Sequence, residues 1–287
     1  EYLKWHGRDD EQPHFPWKTS RQGGHRIFAT WHERRTDLTQ KRRAPFPHPP
    51  SRASDPAVLA LSLSKNLLVD LVIYLVPMVL SLSVHEYAHA WMAFRLGDDT
   101  ASREGRLTLN PMAHIDVFGT LLIPAFNVLL GGFALIGWAK PVPVRPVRFN
   151  RKVTMRVGMI LTAVAGPLSN LMMAVASIGL AALLIRVAPE WLMGDRPTGL
   201  AKLLQAMFIL NIGLFIFNLL PLPPLDGSRL LPRSMDGFVT HVSPYSFILL
   251  LVVINIPFLR ETLLVQPVML TVRLLQTVFS TQLWGVA

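Results

Sequence analysis

The stretch VLSLSVHEYAHAWMAF, residues 79–94, joins two things that seldom share a helix. Its valines and leucines, with Met92 and Phe94, suit a bilayer, whereas His85, Glu86 and His89 are ionisable. Ionisable groups inside an apolar segment are expensive to keep there and mark function by default. On an α-helix, residues four apart share a face, so His85 and His89 can aim their imidazoles at one point. Glu86 follows about 100° round from His85.

The surrounding chain is as apolar as the stretch itself. Of 287 residues, 51% are hydrophobic and only 16% charged, and the mean hydropathy is +0.37, a balance foreign to soluble domains. Residues 157–185, 203–225 and 237–259 contain no Asp, Glu, Lys or Arg. Each reaches the roughly 20 residues that a spanning helix needs. Residues 117–139 form another uncharged run, broken by Pro124, Gly131 and Gly132, and 66–96 open the series. The expectation is an all-α polytopic membrane protein with about five to six apolar segments. For His85 and the end of the run 203–225 to share a side, 117–140 must make no net crossing, so a short re-entrant or strand element is expected there.

Residues 1–56 differ in kind, being rich in Arg, His and Pro without any period. They read as a disordered basic tail; their five histidines (His6, His14, His25, His32, His48) lack ligand spacing. Residues 57–287 read as one membrane-embedded domain, with a core over 66–231 and extra helices over 242–285. The net charge of +10 does not point to nucleic acid. Outside the tail it gathers at Lys140, Arg145, Arg148, Arg151, Lys152 and Arg156, directly before an uncharged run, as the positive-inside rule expects of a cytoplasmic loop. Cysteine is absent, so any metal must be held by His, Asp or Glu.

His and His four apart with a Glu between is a spacing with a known use: two neutral nitrogens hold zinc, whose water drops to a pKa of about 7, and the Glu takes a proton. The bland alternative is a pair of helix-interior histidines bonded to neighbours. A third ligand is on offer in FNLLPLPPLDGSRLL, residues 217–231, where Asp226 is the first charge after the run from 203. Pro221, Pro223 and Pro224 cannot continue a helix. Backbone freed at membrane depth survives only if buried in protein or lining a watery cavity, and a carboxylate there can reach a metal. Alternatively, Asp226 caps the next helix.

His85-Glu86-x-x-His89 and Asn218-x-x-Pro221-x-Pro223-x-Leu225-Asp226-Gly227 together resemble the site-2 protease family of intramembrane zinc metalloproteases. LGDDTASREGRLTLNPMAHID (96–116), GWAKPVPV (137–144) and AGPLSN (165–170) are similar to its smaller bacterial members, so the likeness runs over about 67–231. It implies one Zn2+ on His85, His89 and Asp226, Glu86 as general base, and Asn218 with Pro221 holding substrate backbone. It further implies a transmembrane protein substrate, a lipid bilayer, a bacterial cell (inner) membrane and room for an unidentified regulatory membrane protein. The family often has a second Gly after Asp-Gly; this chain has Ser228.

Two further stretches carry expectations of their own. In GWAKPVPVRPV, Pro141 and Pro143 lack N–H groups on one edge, leaving Val142 and Val144 able to pair with an extended substrate on the other. The competing reading is an ordinary loop. Gly158, Thr162, Gly166, Asn170 and Ala174 recur every four residues, a small-residue face expected to pack on the helix of His85. Asn170 is then either an oxyanion donor or an interhelical bond, and His114 a loop-fixing residue. Two other functions fit the buried charges: a transporter or ion pathway, and a catalytically inactive scaffold. Glu86 discriminates between these and a peptidase, because only hydrolysis requires that base.

Overall fold

The computed structural model describes residues 56–129, 137–193 and 198–281. The chain divides into two compact units, Glu1–Leu59 and Ala60–Ala287. Residues 1–55 of the expected basic tail lie outside the described part.

The described elements are helical: α1 (Pro56–Arg95), α2 (Thr100–Arg103), α3 (Ile123–Leu129, entered through the π-helical turn Val117–Leu122), α4 (Met155–Val187) and α5 (Gly199–Asn218). There follow α6 (Asp236–Val242), α7 (Ser246–Asn255), α8 (Pro257–Arg260) and α9 (Gln266–Val278). Among the described residues, four stretches are long and apolar enough to cross a membrane: Leu71–Arg95, Met155–Val187, Gly199–Asn218 and Arg233–Asn255. The protein is an all-α polytopic membrane protein. A further apolar helix, Val117–Phe126, is shorter than a span.

Helix starts follow local chemistry. Thr154 caps α4 by accepting from the Val157 N–H at 3.2 Å, and Thr198 caps α5 by accepting from Ala201 at 3.1 Å, each meeting an N–H that the first turn leaves unpaired. Stop signals are equally local, since α5 ends at Asn218, three residues before Pro221. The cis peptide bond between Pro223 and Pro224 lies in the turn that follows.

Helices α4 and α5 form the centre. Ala174, Ile178 and Ala181 of α4 meet Ala201, Leu204, Phe208 and Ile212 of α5, and Val272 of α9 closes the cluster. Without a hydrophobic driving force between helices in lipid, it is the small side chains that permit this close approach.

Between α1 and α4, residues 114–120 and 138–140 are tied to one another. The Trp138 N–H donates to the Gly119 carbonyl at 3.1 Å, Thr120 Oγ1 donates to the Trp138 carbonyl at 2.7 Å, and the Lys140 N–H donates to His114 at 2.9 Å. Departing and returning chain are thus fastened together, the re-entrant outcome. No strand occurs among the described residues. Residues 139–145 have no regular secondary structure and join no ladder, and Pro141 and Pro143 lack the N–H groups one would need.

Candidate metal centre

Two elements, α1 and the turn that begins at Asp226, deliver three electron-rich atoms to one point. His85 and His89 of α1 are buried, 5% and 8% exposed, and their Nε2 atoms lie 2.9 Å apart. Asp226 Oδ2 lies 3.3 Å from the first and 3.2 Å from the second. A tetrahedral zinc site with bonds of about 2.0–2.1 Å has ligand-to-ligand edges of about 3.3 Å, so the triangle has the right size for one ion.

The hydrogen bonds behind the rings decide what faces inward. Asn211 Nδ2 donates to the Met207 carbonyl at 2.7 Å and to Ser81 Oγ at 2.8 Å. Its Oδ1 therefore accepts from Asn170 Nδ2, at 2.9 Å. That turns Asn170 Oδ1 to His85 Nδ1, 2.6 Å away, and only a protonated Nδ1 can donate there. His89 Nδ1 meets the Thr162 carbonyl at 2.6 Å, an acceptor only, so it too carries the proton. Both Nε2 atoms are left with bare lone pairs. Two lone pairs and a carboxylate oxygen at such separations repel unless a cation lies among them. Among the described residues no other group of three His, Asp or Glu could share an ion.

The scaffold explains why the sequence brings these atoms together. Thr162, Gly166 and Asn170 lie on one face of α4 and meet the α1 histidines, so the small-residue face packs where expected. Gly166 is obligatory by space: a Cβ there would sit 2.3 Å from His89 Nε2 and 2.7 Å from His85 Cε1. Asp226 opens a 3-10 turn, Asp226–Leu230, without capping it. Gly227 lets that turn lie against the end of α5, where a Cβ would meet the Leu219 carbonyl at 2.3 Å.

The remaining candidates take more varied places. Glu86 Oε2 accepts from the Val142 N–H at 3.1 Å. Of the two N–H groups expected to await a substrate, Val142's is thus already engaged, whereas Val144's has no hydrogen bond. Asn218 is half-buried and donates to the Leu214 carbonyl at 3.0 Å, and Pro221 is exposed. Asn170 is fully buried and has both ends of its carboxamide engaged, bonding α1 on one side and α5 on the other. His114 Nε2 donates to the Thr108 carbonyl at 2.8 Å, fixing its loop. Sequence reasoning missed Asn211 and Ser81. The signal existed for Asn211, a buried polar residue amid the apolar run from 203, but its partner is 41 residues away in sequence.

The sequence model of peptidase family M50 matches residues 192–256. A Bacillus subtilis (strain 168) protein named "Putative zinc metalloprotease YwhC" is 43% identical over 194 residues, covering 66% of this chain and 83% of that one. The chain belongs to peptidase family M50. This is the site-2 protease family to which the motifs pointed. The M50 chain is also 28% identical over 189 residues to "Putative zinc metalloprotease Rip2" of Mycolicibacterium smegmatis, covering 64% of this chain and 66% of that one. Against the protein of that name from Mycobacterium tuberculosis H37Rv it is 30% identical over 149 residues, about half of each chain, 52%. No solved structure is significantly similar.

Proposed function

We propose that this M50 zinc metalloprotease is an intramembrane endopeptidase, hydrolysing peptide bonds within or near transmembrane segments of membrane-protein substrates. The observation that carries the reading is the convergence of two deprotonated Nε2 atoms and a carboxylate oxygen at 2.9–3.3 Å beside helices that span a bilayer.

His85, His89 and Asp226 hold Zn2+, which when bound supplies a Lewis acid for the scissile carbonyl and the attacking water. Glu86 is the general base, one residue from His85 and so on the adjoining face of α1. Asn170 and the Thr162 carbonyl keep both imidazoles in the ligating tautomer. Val144 N–H, the Val142 carbonyl and Asn218 are the groups available to hold substrate backbone extended. The Asp226 side chain is 16% exposed, which gives water a way in. Arg95, Arg103, Arg145, Arg148, Lys152 and Arg156 lie in or beside the α1–α4 connection, supporting a cytoplasm-facing site in a bacterial cell membrane.

The test is co-expression with tagged membrane proteins, comparing wild type with Glu86→Gln. A product that appears only with wild type, while both proteins carry zinc, supports the reading. Ion flux without proteolysis would instead support a conduction site.

A further inference from the structure

The motif LGDDTASREGR, residues 96–106, contributes no ligand, yet it contains two buried charges. Asp98 is 0% exposed and Arg106 6%. Neither pairs with an opposite charge among the described residues. A charge is kept away from water at great expense unless hydrogen bonds replace its hydration, and these two make all but one of theirs, the Thr100 hydroxyl, with main chain. Arg106 donates to the carbonyls of Ala113 and Lys140 and, at 3.0 Å, to that of Pro141. Asp98 Oδ2 accepts from the Arg145 N–H at 2.5 Å, while Oδ1 is held by Thr100 at 3.1 Å (N–H) and 2.5 Å (Oγ1). The anchored groups bracket Val142, with carbonyls 140 and 141 before it and the N–H of 145 after it. Val142's own N–H goes to Glu86 Oε2.

We propose that Asp98 and Arg106 are positioning residues for hydrolysis: they clamp the proline-rich main chain on both sides of Val142 so that its N–H fixes the carboxylate of the general base. The need for a clamp follows from the sequence. Pro141 and Pro143 deprive this stretch of the ladder bonds that would hold an ordinary strand, and charged side chains substitute for them. Arg suits the task because its rigid planar fork reaches several carbonyls at once, which Lys cannot. The inference rests on Glu86 acting as base.

The experiment measures steady-state cleavage of a quenched fluorescent transmembrane helix by full-length protein in vesicles, with zinc content and thermal midpoint measured on the same samples. Asp98→Asn keeps an oxygen for Thr100 but turns an amide toward the Arg145 N–H, and Arg106→Gln removes the fork. Each is expected to lower kcat about 10- to 100-fold, part of what a general base supplies, with KM within about threefold and zinc retained. Arg106→Lys should recover part of the loss. Val142→Pro, which removes the single N–H, should match the clamp variants, whereas Gly199→Ala, with no atom within 4 Å of the new Cβ, should keep wild-type kcat. Unchanged kcat in zinc-loaded Asp98→Asn and Arg106→Gln, full activity in Val142→Pro, or loss of zinc in step with activity would each overturn the clamp. An active Glu86→Gln would overturn the base itself, whereas an inactive Glu86→Gln beside fully active clamp variants would overturn only the clamp.

Discussion

Replacing Gly166 by Ala would place a methyl group where the metal ligands stand. The added Cβ would lie 2.3 Å from His89 Nε2, 2.5 Å from His89 Cε1 and 2.7 Å from His85 Cε1. Carbon contacts settle at about 3.5–4.0 Å, so the His89 nitrogen must retreat by more than about 1 Å, against a tolerance of about 0.2 Å for a metal bond. Neither easy escape is open. The His89 ring is tied through Nδ1 to Thr162 of the same helix, and α4 is held by Ala163, Ala174 and Ile178, each at most 1% exposed. Loosening a partner behind a ligand already weakens metal binding about 10- to 100-fold; displacing the ligand itself should exceed the upper figure. Zinc per chain, measured by mass spectrometry across a series of buffered zinc concentrations, gives the affinity, and reporter cleavage should fall with occupancy. Gly199→Ala, with no atom within 4 Å of the new Cβ, serves as the control and should behave as wild type. A Gly166→Ala protein with wild-type zinc affinity and cleavage would refute the reasoning.

The other expectations divide the site by role. Asn170→Leu, close in shape, strands the His85 Nδ1–H and Asn211 Oδ1 in a buried setting; thermal unfolding should show a loss of about 1–3 kcal/mol per stranded group, and zinc titration a 10- to 100-fold weaker affinity, as flagged above for such partners. Asn211→Leu, one bond further out, should disturb zinc less than Asn170→Leu when the two are titrated side by side. Asp226→Asn should lose zinc and cleavage together, in contrast to Glu86→Gln, which should lose cleavage by about 10²- to 10⁴-fold and keep the metal. Asp99 is half-exposed, and Arg103, against an opposing effect of burial, holds its carboxyl below the ordinary range with help from Arg148. A depressed carboxylate stabilises the fold above its unfolded pKa of about 3.9 and ceases to do so as pH falls through the folded value. Asp99→Asn should therefore shift the thermal midpoint only slightly at pH 7, and that small difference should vanish in strong acid.

Much of this was legible from residue order, for reasons that are local or periodic. Helices of about 20 uncharged residues, a His-x-x-x-His face and a proline stop before Asp226 are properties of neighbours along the chain. The proline-rich residues 139–145 were less legible. Proline alternation forecast a strand edge, but the edge's Val142 N–H is occupied by Glu86, a residue 56 positions earlier, and nothing between the two announces the pairing. Asp98 likewise reads as a helix-end acid, indistinguishable in sequence from a cap.

What the sequence by itself determined is therefore the apolar helices and the candidate ligand and base residues, because hydropathy, helical period and the chemistry of each side chain are fixed by short windows. Only the tertiary structure decided which nitrogen of each imidazole faces inward, that Gly166 must lack a side chain, and that two buried charges grip the main chain around Val142. Those facts depend on distances of 2–3 Å between α1, α4, α5 and the re-entrant segment. Such distances arise only when separate helices pack, and no local pattern along the chain encodes them.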